Sequence, residues 1–506
     1  MMDYAQCGEE WERNSQSLWR STHPACPLEA DYMLTSLIHS MPLPTAIGVK
    51  QTTVAFRTLG CKLNQCETAQ MQEMLTASGY VLVGWDRPAD VRVINTCTVT
   101  AKSDRTCRRE IRLAKRLDPG CLVAVTGCYA QVDPQAVAAI PGVDLVLGNV
   151  EKTALAQYLA GAARGGAPFA SVSSYPEHPS FEQEFISHFY GYTRAFLKIQ
   201  TGCDARCAYC IIPLARGPAR SMPATQVAQQ VQLLRSRDYK EVVLTGINLG
   251  SWGRDTGEGR LADLLASLTS DDRTLRSLRY RLSSIEPLEV DAGLLDAIDK
   301  AGEGAAHHFH LPLQSGSASV LERMNRPYKP EEYLRVVGAV AARFPEAALG
   351  ADLIAGFPGE SEAEFEETLD FVDRSPLTYV HVFSYSDRQG TAASAMTPKV
   401  HPDVIHERSL RLRTLGERKA LEFRRTLRGS PQKALVLRER SGDGRLVGLT
   451  GNYMEVLLTG EDFLTNKFVR VVLEEERPDG RWEATPLAIE KDADTRGDVS
   501  MTGGMA

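Results

Sequence analysis

No run of roughly 18 apolar residues occurs in this chain of 506 residues, so no transmembrane helix is expected. The opening residues, Met1-Met-Asp-Tyr-Ala-Gln-Cys-Gly-Glu-Glu, lack the basic and apolar regions of a secretory signal. Internal repeats are absent. So is an overall excess of positive charge: the formal net charge is −7, which does not advertise nucleic-acid binding. That average conceals clustered basic residues. Eleven cysteines with no secretory signal argue against a disulfide framework and for metal binding or catalysis in a cytoplasmic protein. What the chain does possess is 43% hydrophobic residues, enough for several cores, and a length that suggests about three domains.

The most informative stretch is Gln200-Thr-Gly-Cys-Asp-Ala-Arg-Cys-Ala-Tyr-Cys-Ile-Ile-Pro213. It places Cys203, Cys207 and Cys210 in C-x3-C-x2-C spacing, with no fourth cysteine nearby. A [4Fe-4S] cube ordinarily takes four cysteines. Three leave one iron open to bind and reduce a substrate. The alternatives are a zinc knuckle, which needs a fourth ligand close in sequence or space, and scattered core cysteines.

Pattern divides the rest. Residues 1–49 lack periodicity and are expected to be a disordered extension, as is the polar tail 491–506. Residues 50–160 alternate strand (52–58, 91–96, 122–126, 144–147) with helix, which implies a parallel sheet. A Gly/Ser/Pro-bearing linker covers 161–192. Residues 193–428 hold six further strand candidates, at 196–200, 242–245, 278–283, 308–313, 349–355 and 379–385, separated by helices. Six such units predict a partial TIM-like (βα)6 barrel, open on one side, with the cysteine loop at its C-terminal mouth. Residues 429–490 read as five short strands, a small OB-like β-barrel. The fold class is therefore α/β with a C-terminal β-barrel.

A second cysteine set, Cys61, Cys97 and Cys128, is scattered in sequence, but each member directly follows a predicted strand of the first sheet. Carboxyl ends of parallel strands line one edge, where ligand crevices form, so three thiolates can converge there. Buried structural cysteines are the competing reading.

The words around both sets carry a resemblance. Thr58-Leu-Gly-Cys-Lys-Leu-Asn-Gln65, Asn95-Thr-Cys-Thr-Val-Thr100, Thr126-Gly-Cys-Tyr-Ala-Gln131 and the Cys203 loop resemble the radical S-adenosylmethionine (SAM) methylthiotransferases, as do His310-Leu-Pro-Leu-Gln-Ser-Gly316, Met324-Asn-Arg-Pro-Tyr328, His381–Thr391 and Gly448–Tyr453. The likeness spans 52–490 and is nearest to the branch acting on threonylcarbamoyladenosine in tRNA, with isopentenyladenosine, or less readily a ribosomal-protein aspartate, as the alternative substrate. It implies two [4Fe-4S] clusters, one on each cysteine set, and SAM as cofactor. It implies a TRAM module at the C-terminus, the tRNA anticodon loop as partner, an electron donor such as flavodoxin or ferredoxin, and a cytoplasmic monomer. Cys66, Cys107 and Cys121 have no place in the pattern and are expected to be packing thiols.

For SAM, the resemblance points to strand-end residues: Tyr209 in the cysteine loop, Gly246 and Asn248, Ser284 and Glu286, Gln314 and Ser315, and Asp352. Ordinary strand-end capping competes at each. His308 and His310 share a strand face, but no cysteine or carboxylate follows at zinc spacing, so zinc is not expected there. Two basic runs suit RNA phosphates. Arg105, Arg109 and Arg112 belong to one at helical spacing. The other, Arg408 to Arg440, holds eleven Lys or Arg against three Glu.

Overall fold

The computed structural model describes residues 51–176, 180–181, 185–270 and 278–489; both segments expected to be disordered lie outside the described residues. The first sheet is six-stranded and parallel: β1 (Thr53–Thr58), β2 (Val81–Val83), β3 (Val91–Thr96), β4 (Leu122–Gly127), β5 (Leu145–Leu147) and β6 (Phe169–Ser171), in the order β2-β1-β3-β4-β5-β6. Every residue of β3 and β4 is buried, as expected of central parallel strands covered on both faces. Two strands were not predicted. Short β2 pairs at one edge, and β6 is drawn from the segment expected to be linker.

Helices α1 (Lys62–Ala77) and α2 (Ala101–Leu117) follow β1 and β3. Thr100 caps α2, its side chain accepting from Ser103 N at 3.1 Å. Ile111, Ala114 and Cys107 face the sheet, while Arg105, Arg109 and Arg112 face solvent.

Six parallel strands then build the predicted half-barrel: β7 (Ala195–Lys198), β8 (Glu241–Thr245), β9 (Arg279–Leu282), β10 (His308–His310), β11 (Ala348–Ala355) and β12 (Tyr379–Ser384). They form two triplets, β9-β8-β7 and β10-β11-β12, joined by a bridge between Tyr280 and Ala305. Strands β7 and β12 are the open edges, and the first domain reaches both. On the β7 side, Cys66 and Ala69 of α1 enter the barrel's apolar core, and Lys198 reaches Glu67. On the β12 side, Arg388 donates to Asp104 at 2.7 Å and to Thr98, and Ala101 N donates to Ser386 Oγ at 2.9 Å. Long helix α3 (Pro402–Thr426) packs along β12.

A closed five-stranded barrel ends the described chain: β13 (Pro431–Arg440), β14 (Leu446–Thr450), β15 (Glu455–Leu458), β16 (Phe468–Glu476) and β17 (Trp482–Ile489), ordered β13-β14-β15-β17-β16. It docks at the N-terminal ends of the half-barrel strands, away from the mouth. Arg279 and Arg281 form the joint. Their inner nitrogens hold the fully buried Glu241, which Arg194 also approaches at 3.3 Å. Their outer nitrogens donate to the carbonyls of Lys433, Leu449, Thr450 and Gly451 at 2.8–3.0 Å. Tyr453 enters the barrel base, stacked on His308 with ring centres 4.7 Å apart.

Candidate active site

Strand ends gather the first cysteine set. Cys61 is the N-cap of α1, Cys97 follows β3 directly, and Cys128 opens a short helix after β4. Gly60, at φ +93°, is what permits their approach: a Cβ there would lie 2.6 Å from Cys97 Cβ. Burial pushes the Cys97 thiol up to about 12, with the neighbouring Cys128 adding to it. Burial also raises Cys61, against the opposing charge of Arg216.

Behind these thiols lies a buried ionic cluster that the sequence reading missed. Arg216 donates to Asn64 Oδ1 at 2.6 Å and to Glu67 Oε1 at 2.9 Å. Lys152 and Lys198 approach Glu67 at 2.8 and 3.5 Å. Burial alone would raise the Glu67 carboxyl, yet the Arg216, Lys152 and Lys198 charges hold it well below the usual range. Three cations around one carboxylate leave a positive surplus beside Cys61 and Cys128. That surplus suits thiolate ligands.

The second set sits across the domain boundary. Burial, with the neighbouring Cys207 adding to it, raises Cys203 to about 11 and Cys210 to about 12. Both sets touch one apolar patch: Leu63, Val99, Ile212 and Ile247 pack with Cys61, Cys203 and Cys210. The cavity at the barrel mouth, about 900 Å³ with its open entrance, is lined by Cys203, Cys207 and Cys210 on one side and by Val99 and Thr100, just past Cys97, on the other.

Of the residues expected to contact SAM, Tyr209, Asn248, Ser284, Glu286, Gln314 and Asp352 line this cavity. Gly246 and Ser315 do not. Gly246 packs against the Gln200 side chain, where a Cβ would come within 3.0 Å. Ser315 turns inward to Thr368 Oγ1 at 3.0 Å and receives Ser317 N, so it shapes its own turn. Arg326 was missed. It lies 3.2 Å from Cys207 Sγ, pairs with Glu286 and is 2.9 Å from the Tyr328 hydroxyl. The Met324–Tyr328 words marked it, but its partner lies 119 residues away.

The basic runs fare differently. Arg105, Arg109 and Arg112 are exposed on one face of α2 beside the site. The Arg408–Arg440 run is largely consumed internally, contrary to expectation. Arg408 is buried on Glu360 and Glu362, Arg411 holds Glu362 and Glu366, Arg424 holds Glu476, and Lys419 donates to backbone carbonyls. Cys66, Cys107 and Cys121 are fully or almost fully buried in the cores, as packing thiols should be. Among the described residues, no helix is long and apolar enough to cross a membrane.

Comparison with known proteins agrees with this layout. Residues 53–148 match the Uncharacterized protein family UPF0004, and 197–372 match the Radical SAM superfamily. The Threonylcarbamoyladenosine tRNA methylthiotransferase MtaB of Bacillus subtilis is 39% identical over 424 residues, covering 83% of this chain and 93% of that protein. Its Aquifex aeolicus namesake is 40% identical over 421 residues, covering 83% and 100%. A tRNA-2-methylthio-N(6)-dimethylallyladenosine synthase of Acidothermus cellulolyticus is 34% identical over 400 residues, covering 78% of each chain.

Proposed function

The chain belongs to the radical SAM methylthiotransferase family, and from that premise we propose that it installs a methylthio group on N6-threonylcarbamoyladenosine beside the anticodon of tRNA. The observation that carries the reading is the approach of two cysteine sets from two separate sheets: Cys61 shares one apolar patch with Cys203 and Cys210, and the latter set lines the mouth cavity. Cys203, Cys207 and Cys210 would hold one [4Fe-4S] cluster with SAM, and Cys61, Cys97 and Cys128 a second. The donor chemistry fits in both places: three thiols each, with Arg326 against Cys207 and Arg216 facing Cys61 and Cys128 to offset thiolate charge. When bound, these groups supply the one-electron chemistry that an unactivated aromatic C–H bond demands.

The protein's own residues bind and orient. Asn248, Ser284, Glu286 and Gln314 offer polar groups to SAM on the cavity wall, beside the Tyr209 ring. Arg326 fixes the Glu286 carboxylate. Leu63, Val99, Ile212 and Ile247 exclude water between the two cysteine sets. Arg105, Arg109 and Arg112 grip phosphates of the anticodon stem-loop beside the mouth, where the target base can be splayed out. A flavodoxin or ferredoxin donates electrons to the monomer.

Mass spectrometry of tRNA nucleosides from a deletion strain carrying the wild type or variants tests the reading. The 2-methylthio derivative of threonylcarbamoyladenosine should return with the wild type only. The isopentenyl counterpart returning instead would move the substrate to the sister branch. The reconstituted protein should hold about eight irons. Replacing Cys203, Cys207 and Cys210 by Ala should halve that and abolish SAM cleavage. Replacing Cys61, Cys97 and Cys128 should halve it too, yet leave cleavage measurable without methylthio product.

A further inference from the structure

Two loops at the barrel mouth meet behind the cavity wall. Asn248 lies just past β8, and a short turn over Pro287–Glu289 follows β9. Asn248 and Glu286 line the cavity, whereas Glu289, at the end of that turn, does not. Glu289 lies behind Asn248 and accepts from its side chain, with Asn248 Nδ2 3.2 Å from Glu289 Oε1. A buried carboxylate is costly unless it is paired and hydrogen-bonded. Arg254 approaches Glu289 Oε1 at 3.2 Å, but its side chain is 62% exposed against 8% for Glu289. An ion pair with so exposed a partner is screened by water and offsets little of that cost. The chain even makes room for the carboxylate with a glycine: a Cβ at Gly250 would stand 2.3 Å from Glu289 Oε2. A group placed at such expense calls for a return beyond packing.

That return lies in Asn248. Its backbone is pinned on both sides: the N–H donates to Gln200 Oε1 at 2.9 Å, and the carbonyl accepts from Ser251 N at 3.1 Å and Ser251 Oγ at 2.8 Å. What stays free is the side-chain amide, whose two ends have nearly the same shape and opposite polarity. Turned over, it would set its oxygen against the Glu289 oxygen, lone pair to lone pair. The nitrogen therefore faces Glu289, away from the cavity, and the oxygen faces the other way. Asn248 Oδ1 is buried and has no hydrogen-bond partner among the described residues. Leaving a buried acceptor unmatched is unfavourable, and a donor on a bound ligand removes the penalty.

We propose that Glu289 is a positioning residue for SAM, an inference that rests on the radical SAM reading above. It locks the Asn248 amide with its oxygen toward the cavity. This part of the wall then accepts a hydrogen bond from an N–H or O–H of SAM and turns away the SAM carboxylate. Glu289 acts only through Asn248. Sequence gave no sign of the pairing, because the two residues lie 41 apart on loops after different strands.

The test uses the full chain with both cysteine sets reconstituted with iron and sulfide and left unreduced, so that SAM binds without being cleaved. Equilibrium dialysis with labelled SAM gives the affinity, and iron is counted in the same samples. Glu289→Ala should weaken SAM binding about tenfold, the worth of one hydrogen bond, with iron unchanged. Glu289→Gln, whose amide oxygen can still accept from Asn248, should restore most of that affinity. In a double-mutant cycle Glu289→Ala should add nothing to Asn248→Ala, which a merely structural role would not produce. Unchanged affinity in Glu289→Ala, or losses that simply add, would overturn the proposal. A crystal structure of the wild type with SAM bound needs no variant to fold. It should show an N–H or O–H donor of SAM at Asn248 Oδ1; the SAM carboxylate there, or no SAM atom, would overturn the proposal too. A wild type that binds no SAM at all would instead overturn the radical SAM reading beneath it.

Discussion

Glu241 is the keystone of the joint between the half-barrel and the C-terminal β-barrel, and replacing it by glutamine tests that role. Its carboxylate is fully buried and is approached by Arg279 at 2.5 Å, Arg281 at 3.0 Å and Arg194 at 3.3 Å. Burial opposes its ionisation, but the Arg279, Arg281 and Arg194 charges overcome that and hold the carboxyl far below the usual range. Glutamine keeps the shape and removes the charge, leaving three guanidinium groups clustered without compensation. Breaking a buried pair by deleting one partner costs about 3–5 kcal/mol. At 1.4 kcal/mol per tenfold, that lowers the docked-to-undocked ratio of the C-terminal barrel by about two to three and a half orders of magnitude. Pulse proteolysis in increasing urea, probed with a C-terminal tag, reads the release of that barrel. The contribution has a definite sign with pH. A depressed carboxyl stabilises above its unfolded value of about 4.5 and loses that effect only as pH falls through its folded value. The deficit of Glu241→Gln should therefore be the same at pH 6 and pH 8. A deficit below about 0.5 kcal/mol, the size of an ordinary surface change, would refute the keystone argument.

Glu289 has the opposite sign. Burial raises its carboxyl from 4.5 to about 7, against Arg254 and Asn248, so its protonated form is the one the fold favours. That stabilisation is complete below pH 4.5 and is lost as pH rises through about 7. Glu289→Gln should flatten the fall in melting temperature between pH 5 and pH 8, a difference of up to about 3 kcal/mol; identical pH profiles would rule this out. Gly60→Ala places a Cβ against Cys97 in a backbone region closed to alanine, costing about 1–3 kcal/mol of strain. It should lower iron at the first cysteine set while SAM cleavage at the second persists, and full iron content would contradict it. Changing Arg105, Arg109 and Arg112 together to Glu should weaken tRNA binding and reduce the salt slope by about 1 per lost phosphate contact. Unchanged affinity in titrations at two salt concentrations would mean that α2 is merely a solvated face.

Much of this architecture is legible in the sequence, for identifiable reasons. Strands such as β3, β4 and β11 are buried throughout and read as mostly apolar or β-branched runs, interrupted by Arg92 and Asn95 in β3 and by Asp352 in β11. Cys97 and Cys128 follow β3 and β4 directly and Cys61 lies just past β1, so topology alone aligns the three. Short strands left no such trace: β2 and β6 have three residues each, and β6 sits among glycines and serines. Ion pairs left none either. Arg216 meets Glu67 across 149 residues and Arg388 meets Asp104 across 284, and no periodicity encodes such meetings. The Arg408–Arg440 run misled for the same reason. Its basic residues look available until the acids of a distant helix, Glu362 and Glu366, fold onto them.

The joint with the C-terminal barrel has a consequence for how such proteins diversify. Arg279 and Arg281 grip it through four main-chain oxygens, at Lys433, Leu449, Thr450 and Gly451. A carbonyl is the same whatever side chain it precedes. The outer faces of the β-barrel can therefore drift in sequence, or be replaced wholesale by another barrel with the same turn, without renegotiating the attachment. The turn that presents Tyr453 to His308, the arginines that receive it, and the side-chain pairs Lys433 and Arg470 with Glu303 and Asn466 with Asp238 are what is bound to change together.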